Sequence, residues 1–238
     1  MPRPYVMWLA AALSTTGAAV AADPKPGEYI PEGGWGRLSI SAPTREGLPF
    51  AIDAVGGNFH ICSVEGTIVR GRATFPGDAD GEADCVIAFA TTAEGVDVSA
   101  EAPSCRQFCG MRAGFVGLYL RPAAGCGDDA RSATRDAFKR QYDRKRYAEA
   151  LATLSPLLDR CRRTLDRYEE GRVRNDIAIA QYRLGRPDDC ARTLAPYAEE
   201  AALSDERILA DYPPSDGEAW LPIVRAARFN LGLCRKRR

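Results

Sequence analysis

Between Tyr142 and Pro196 the chain repeats itself at a period of 40 residues: Tyr142, Thr153, Leu154 and Pro156 recur as Tyr182, Thr193, Leu194 and Pro196. The repeat lies in a frame of helical spacing. Tyr147, Ala150, Leu151, Leu154, Leu157, Leu158 and Cys161 fall on one face of a helix. Ala133, Ala137, Phe138, Gln141 and Tyr142 suggest the helix before it, and Val173, Ile177, Ala180 and Leu184 the one after. Cys190, Leu194, Tyr197, Ala198 and Ala201 mark a fourth helix, and Trp220, Val224, Ala227, Leu231 and Cys234 a last one. Each of these cysteines sits on an apolar stripe, which buries it against a neighbouring helix. Antiparallel pairing then predicts two disulfides. The residue just before the first helix should lie beside the end of the second, joining Cys126 to Cys161; the start of the fourth should lie beside the end of the last, joining Cys190 to Cys234. Loops of this length each add roughly 4 kcal/mol on the chain-entropy model. Pro156 and Pro196 share a register within the second helix of each pair, which predicts a kink common to both.

These helix pairs resemble tetratricopeptide units. Tyr147 and Ala150 match the aromatic and small positions that open the second helix of such a unit, and Gly185 matches the glycine of its turn. The 40-residue spacing and the unmatched tryptophan and final proline imply about two and a half helical hairpins of that kind rather than a regular array.

The first residues read as an export signal. Arg3 precedes an Ala-rich apolar run, Val6 to Val20, and Ala19-Val20-Ala21 has the small-x-small pattern of a cleavage site. Residues 1–22 are therefore expected to be removed, and the run is too short and interrupted to span a bilayer. All eight cysteines follow it, an even number suited to disulfides in an oxidising compartment. The single histidine, His60, leaves mixed Cys/His zinc sites, haem ligation and a Ser-His-Asp triad almost nothing to draw on. His60 itself reads as a surface or cross-strand residue.

Composition shifts near Cys126, from glycines and alternating Val, Ile and Phe to Ala, Leu, Arg and Glu. Charge divides at the same place. Asp23 to Cys126 holds 8 Lys/Arg against 13 Asp/Glu, a net of −5; Gly127 to Arg238 holds 23 against 19, a net of +4. Two domains are expected: an arm over 23–36, an antiparallel β domain over 37–125, and a helical domain over 126–238. Seven short segments carry the two-residue period of half-buried strands, Arg37–Ala42, Phe50–Val55, His60–Arg70, Arg72–Phe75, Cys85–Ala90, Val96–Ala100 and Gly114–Leu120, with turns at Gly56-Gly57-Asn58, Arg70-Gly71 and Glu94-Gly95. Local connections of this kind imply an antiparallel sandwich or small barrel. Cys62, Cys85, Cys105 and Cys109 allow three connectivities that sequence does not choose between; the preferred reading is Cys62–Cys85 and Cys105–Cys109. The acidic loop with Asp78, Asp80, Glu82 and Asp84 reads as solvated and as a candidate surface for a basic partner.

Gly33-Gly-Trp-Gly36, the H-x-C-x-x-E-G of His60 to Gly66, and Cys105-Arg-Gln-Phe-Cys-Gly-Met-Arg-Ala-Gly-Phe115 together resemble exported bacterial proteins with lysozyme-inhibitor-like domains. The resemblance covers about 90 residues, rests on cysteines and glycines, and implies a fold more than an activity. The expectation is an α+β, disulfide-stapled, non-enzymatic protein of the periplasm or secreted medium that binds or scaffolds another envelope or secreted protein. Lysozyme inhibition through the acidic β domain is the alternative. No catalytic, cofactor or metal-ligating set is singled out. Neither nucleic acid nor stable membrane insertion is expected, since the basic residues of the second half are interleaved with acidic ones.

Overall fold

The computed structural model describes residues 23–77 and 81–235. The expected signal segment, Asp78 and Asp80 lie outside the described residues. Eight strands come first: β1 (Gly27–Pro31), β2 (Gly36–Ile40), β3 (Leu48–Val55), β4 (Ile61–Ile68), β5 (Arg72–Phe75), β6 (Cys85–Thr91), β7 (Gly95–Ala100) and β8 (Gly117–Leu120). Seven helices follow: α1 (Asp128–Asp143), α2 (Tyr147–Arg160), α3 (Arg167–Arg183), α4 (Pro187–Leu194), α5 (Ala198–Ala202), α6 (Asp205–Asp211) and α7 (Pro214–Cys234).

All strand pairs are antiparallel, in the order β4-β3-β2-β1-β8-β7-β6-β5. Sequence neighbours pair except β4 and β5, β8 pairs β1, and the ring opens only between β4 and β5, which touch at the Val69–Arg72 bridge of their hairpin. The result is a nearly closed eight-stranded barrel filled by side chains, as expected for a barrel of this strand number. Leu38, Ile52, Val64, Ile87, Val98 and Tyr119 meet at its centre. Strand β1 corrects the arm expected over 23–36. Its Gly27–Tyr29 half pairs with β2 and its Ile30–Pro31 half with β8. So short a strand among prolines and glycines leaves no two-residue period to read.

The disulfides of this half also differ from the preferred reading, which is corrected to Cys62–Cys109 and Cys85–Cys105. Cys62 lies on β4 and Cys85 opens β6, with β5 between them in the ring. At about 4.8 Å per strand the two Cα atoms would be roughly 10 Å apart, beyond disulfide reach. Cys105 and Cys109 cannot meet each other either. Cys105 lies in the 3-10 segment Pro103–Phe108, Cys109 follows it in extended backbone, and the two side chains reach different strands. That segment closes the far end of the β4/β5 seam: Cys105 ties it to β6, and Cys109 pairs with Cys62 on β4. Gly110 N donates to Ile61 O at 2.8 Å, and Phe108 packs edge-on to Phe75 at 4.9 Å.

In the helical half the structure joins Cys126 to Cys161 and Cys190 to Cys234, the pairing expected of antiparallel helices. The 40-residue repeat has a structural counterpart at the turn of each hairpin. Lys145 (φ 61°) and Gly185 (φ 72°) both adopt the left-handed conformation, and Arg146 N and Arg186 N each donate 3.0 Å to the carbonyl of Gln141 or Gln181. Lys145 carries a side chain where the second unit has glycine. Lys145→Gly is therefore expected to stabilise the protein by about 0.5–1 kcal/mol, read as a raised urea midpoint with an unchanged m-value.

The shared proline kink is corrected. Pro156 lies within the continuous α2, whereas Pro196 sits in a 3-10 turn, Ala195–Tyr197, that ends α4 before α5. Past Pro156 the stripe resumes at buried Leu157; past Pro196 the Tyr197 ring turns to Trp220 instead, at 5.6 Å. The chain between α5 and α7 is packed rather than open. It contains α6, whose Ile208 is fully buried, and Asp205 is held by Arg225 and Arg228. Among the described residues no helix is long and apolar enough to cross a membrane.

Candidate functional site

The barrel and the helices meet at two loops. The first is the turn between β1 and β2. Gly33 N donates to Arg163 O at 2.8 Å, and Gly34 (φ +70°) lies so close to the chain before α3 that a Cβ there would fall 2.3 Å from Asp166 N. This contact accounts for Gly33 and Gly34, which dock on the helical half; Gly36 is instead required inside the barrel, where a Cβ would fall 2.5 Å from Asp53 O. Arg163 reinforces the docking, reaching Glu32 at 2.8 Å and Glu94 at 2.5 Å. The Arg163 guanidinium holds the Glu94 carboxyl below the usual carboxylate range.

The second loop is Gly56–His60 between β3 and β4. Asn58 and Phe59 are both left-handed, at φ 57° and 55°, a conformation costly for non-glycine residues. Helix α7 begins after Pro213, which offers no side-chain cap. Asn58 supplies one from the barrel: its Oδ1 accepts from Ser215 N at 3.0 Å, and its own N donates to Asp216 Oδ2 at 2.8 Å. This is the reciprocal pattern of a capping box, divided between residues 157 and 158 positions apart. Phe59 stacks on Tyr168, ring centres 6.0 Å apart.

Between the two loops lies a cleft of about 1040 Å³. Its barrel wall presents Trp35, Val55, Phe59 and Ile61; the helical wall is built from the N-terminal turns of α1, α3 and α7. Phe59 is 47% exposed and Ile61 64%. Arg37 pairs with Asp128, and the buried Arg131 reaches Asp128 at 2.7 Å, Glu169 at 3.3 Å and Thr164 O at 2.6 Å. Burial raises the Glu169 carboxyl above its ordinary value despite Arg131 beside it. Asp166 caps α3 through Glu169 N at 2.7 Å, and Asp53 accepts from Ser63 Oγ at 3.0 Å.

The described part of the acidic loop is not brought to this cleft. Glu82 and the exposed Asp84 precede β6 and contribute nothing to its lining. All eight cysteines are spoken for as disulfides. His60 caps the 3-10 turn Gly57–Phe59, packed beside Gly110. Among the described residues no three His, Cys, Asp or Glu side chains cluster as a metal site. Sequence reasoning missed Asn58, Phe59, Tyr168 and Asp216. The one local signal was Gly-Gly-Asn, legible as a turn but not as a cap for a helix far along the chain. Comparison with family models, curated proteins and solved structures finds no match for this chain.

Proposed function

We propose that this is an exported, non-enzymatic binding protein of the bacterial envelope, periplasmic or secreted. It holds a segment of another envelope or secreted protein in the cleft between barrel and helices. The observation that carries the reading is Phe59: an exposed aromatic ring fixed in a strained backbone beside exposed Ile61 and Val55, in an open groove. Strain of this kind persists where the surroundings over-determine it, and exposed apolar surface rimmed by polar groups marks interaction sites. Four disulfides fit an oxidising compartment outside the cytoplasm. The helical hairpins, read as tetratricopeptide-like, serve here as the second wall of the groove.

A photo-reactive phenylalanine analogue at position 61 is expected to cross-link one protein species in native extracts. The same analogue at Phe229, 66% exposed and about 20 Å along α7 from Asp216, is expected to give none. Equal labelling at both positions, or none at position 61, overturns the reading. Lysozyme inhibition is the second reading, favoured by the −5 charge of the barrel half, which suits a strongly basic enzyme. Titrating the whole protein into c-type lysozyme during cell-wall lysis tests it; undiminished lysis at stoichiometric amounts removes it.

A further inference from the structure

Arg167, the first residue of α3, is solvent-exposed, yet its guanidinium lies inside a ring of aromatic faces. The guanidinium carbon is 4.2 Å from the centre of the Trp220 ring, 4.5 Å from Tyr212 and 5.5 Å from Tyr168, all within cation–π range. The rings are pinned by carboxylates through their polar ends. Glu200 accepts from Trp220 Nε1 at 2.8 Å and from the Tyr212 hydroxyl, and Asp216 accepts from the Tyr168 hydroxyl at 3.2 Å. An edge-on contact between Tyr168 and Trp220 completes the frame. Three faces are thus held in place around one cation.

Arg167 and Tyr168 also line the cleft, so the cage opens into it. There the charges do not balance. Arg37 and Arg131 are committed to Asp128 and Glu169. Among the described residues, Asp53, Asp166 and Asp216 accept only from neutral donors: a serine hydroxyl, backbone amides and a tyrosine hydroxyl. Arg167 makes no salt bridge among the described residues and is held by the rings. It also sits at the positive end of the α3 dipole, an unfavourable place for a cation.

We propose that the Tyr168/Tyr212/Trp220 cage is a cation-recognition site, which Arg167 fills in the free protein and yields to a lysine or arginine side chain of a basic polypeptide segment entering the cleft. The incoming cation takes over the ring contacts, and neighbouring cations of the segment meet Asp53, Asp166 and Asp216 along the cleft. Arg167 swings into water, away from the helix N-terminus. The exchange needs no movement of the backbone, because the Arg167 side chain is already exposed. This inference rests on the reading of the cleft as a groove for a partner segment, and it specifies that segment's chemistry.

The test uses the purified protein with its disulfides intact and a blocked tetra-arginine peptide as probe. Arg167→Ala empties the cage and is expected to bind the peptide roughly tenfold more tightly than the unmodified protein, with the Trp220 indole N–H resonance shifted on titration. A tetra-glutamate peptide should not bind. Tyr212→Leu added to Arg167→Ala should abolish the gain while the rest of the spectrum stays folded. Peptide binding unchanged by Arg167→Ala, or a gain that survives Tyr212→Leu, overturns the proposal. Tighter binding of tetramethylammonium than of the peptide would overturn a polypeptide as the occupant. Cross-linking at position 61 separates the two readings. An adduct there without any effect of Arg167→Ala retains the groove and removes the cage; a tenfold gain without an adduct retains the cage and removes the groove.

Discussion

Replacing Cys62 and Cys109 by alanine is expected to lower the stability of the barrel by about 4 kcal/mol, and replacing Cys85 and Cys105 by about 3 kcal/mol. The difference follows from the sequence separations of 47 and 20 residues, since the longer loop restricts the unfolded chain more. The native state adds a second reason. The segment 103–109 covers the seam where β4 and β5 part, and these two bonds fasten it on either side. Without the Cys62 bond, Gly110 N–Ile61 O remains as the tie to β4, while Cys85–Cys105, the Phe108–Phe75 contact and the Gln107 Nε2–Pro76 O hydrogen bond hold the other side. Denaturant unfolding gives the loss, and hydrogen exchange locates it. Amides of β4 and β6 should lose protection, while those of α3 and α7 keep theirs. A loss under 1 kcal/mol for both pairs, or protection lost uniformly over barrel and helices, would refute this account of the seam.

The second large effect is expected at Gly34. Gly34→Ala combines a left-handed conformation, costing about 1–2 kcal/mol, with overpacking against the chain before α3, costing about 1–3 kcal/mol. A Cβ there would meet the backbone at Asp166 N, which cannot turn aside as a side chain could. Gly33→Ala is the control. Its φ of +88° imposes the same conformational cost, but its Cβ would meet nothing nearer than the Trp35 ring edge at 3.4 Å. The Gly34 variant should lose about 2–5 kcal/mol in total and the Gly33 variant about 1–2. Because Gly34 lies at the contact between halves and outside both cores, its substitution should also split unfolding into two transitions and loosen the cleft. A single transition with equal losses for both variants would show that the turn does not couple the barrel to the helices.

Legibility in the sequence followed the range of the forces involved. Helix pairs and alternating strands were legible because their periods are local: Leu154 and Cys161, or Phe50 and Ile52, announce a face within a few residues of each other. Two disulfides were legible by extension, since antiparallel helices place Cys126 beside Cys161 and Cys190 beside Cys234. Strand β1 was not legible, because its two sides bond different neighbours and its prolines and glycines hide its period. Nor were the barrel disulfides, which depend on β5 lying between Cys62 and Cys85 once the sheet curls into a ring.

The cleft belongs wholly to the tertiary structure. Asn58 caps α7, Phe59 stacks on Tyr168, and Arg37 meets Asp128 across 91 residues. None of these residues carries a local signal of its partner. The sequence by itself determined most of the elements, though not β1 or α6, together with their apolar faces and an even cysteine count suited to disulfides, because backbone propensity and side-chain period act over one or two turns. Only the tertiary structure decided how the two halves meet and therefore where a site lies. That choice rests on close backbone approach at Gly34 and on hydrogen bonds between residues more than a hundred positions apart.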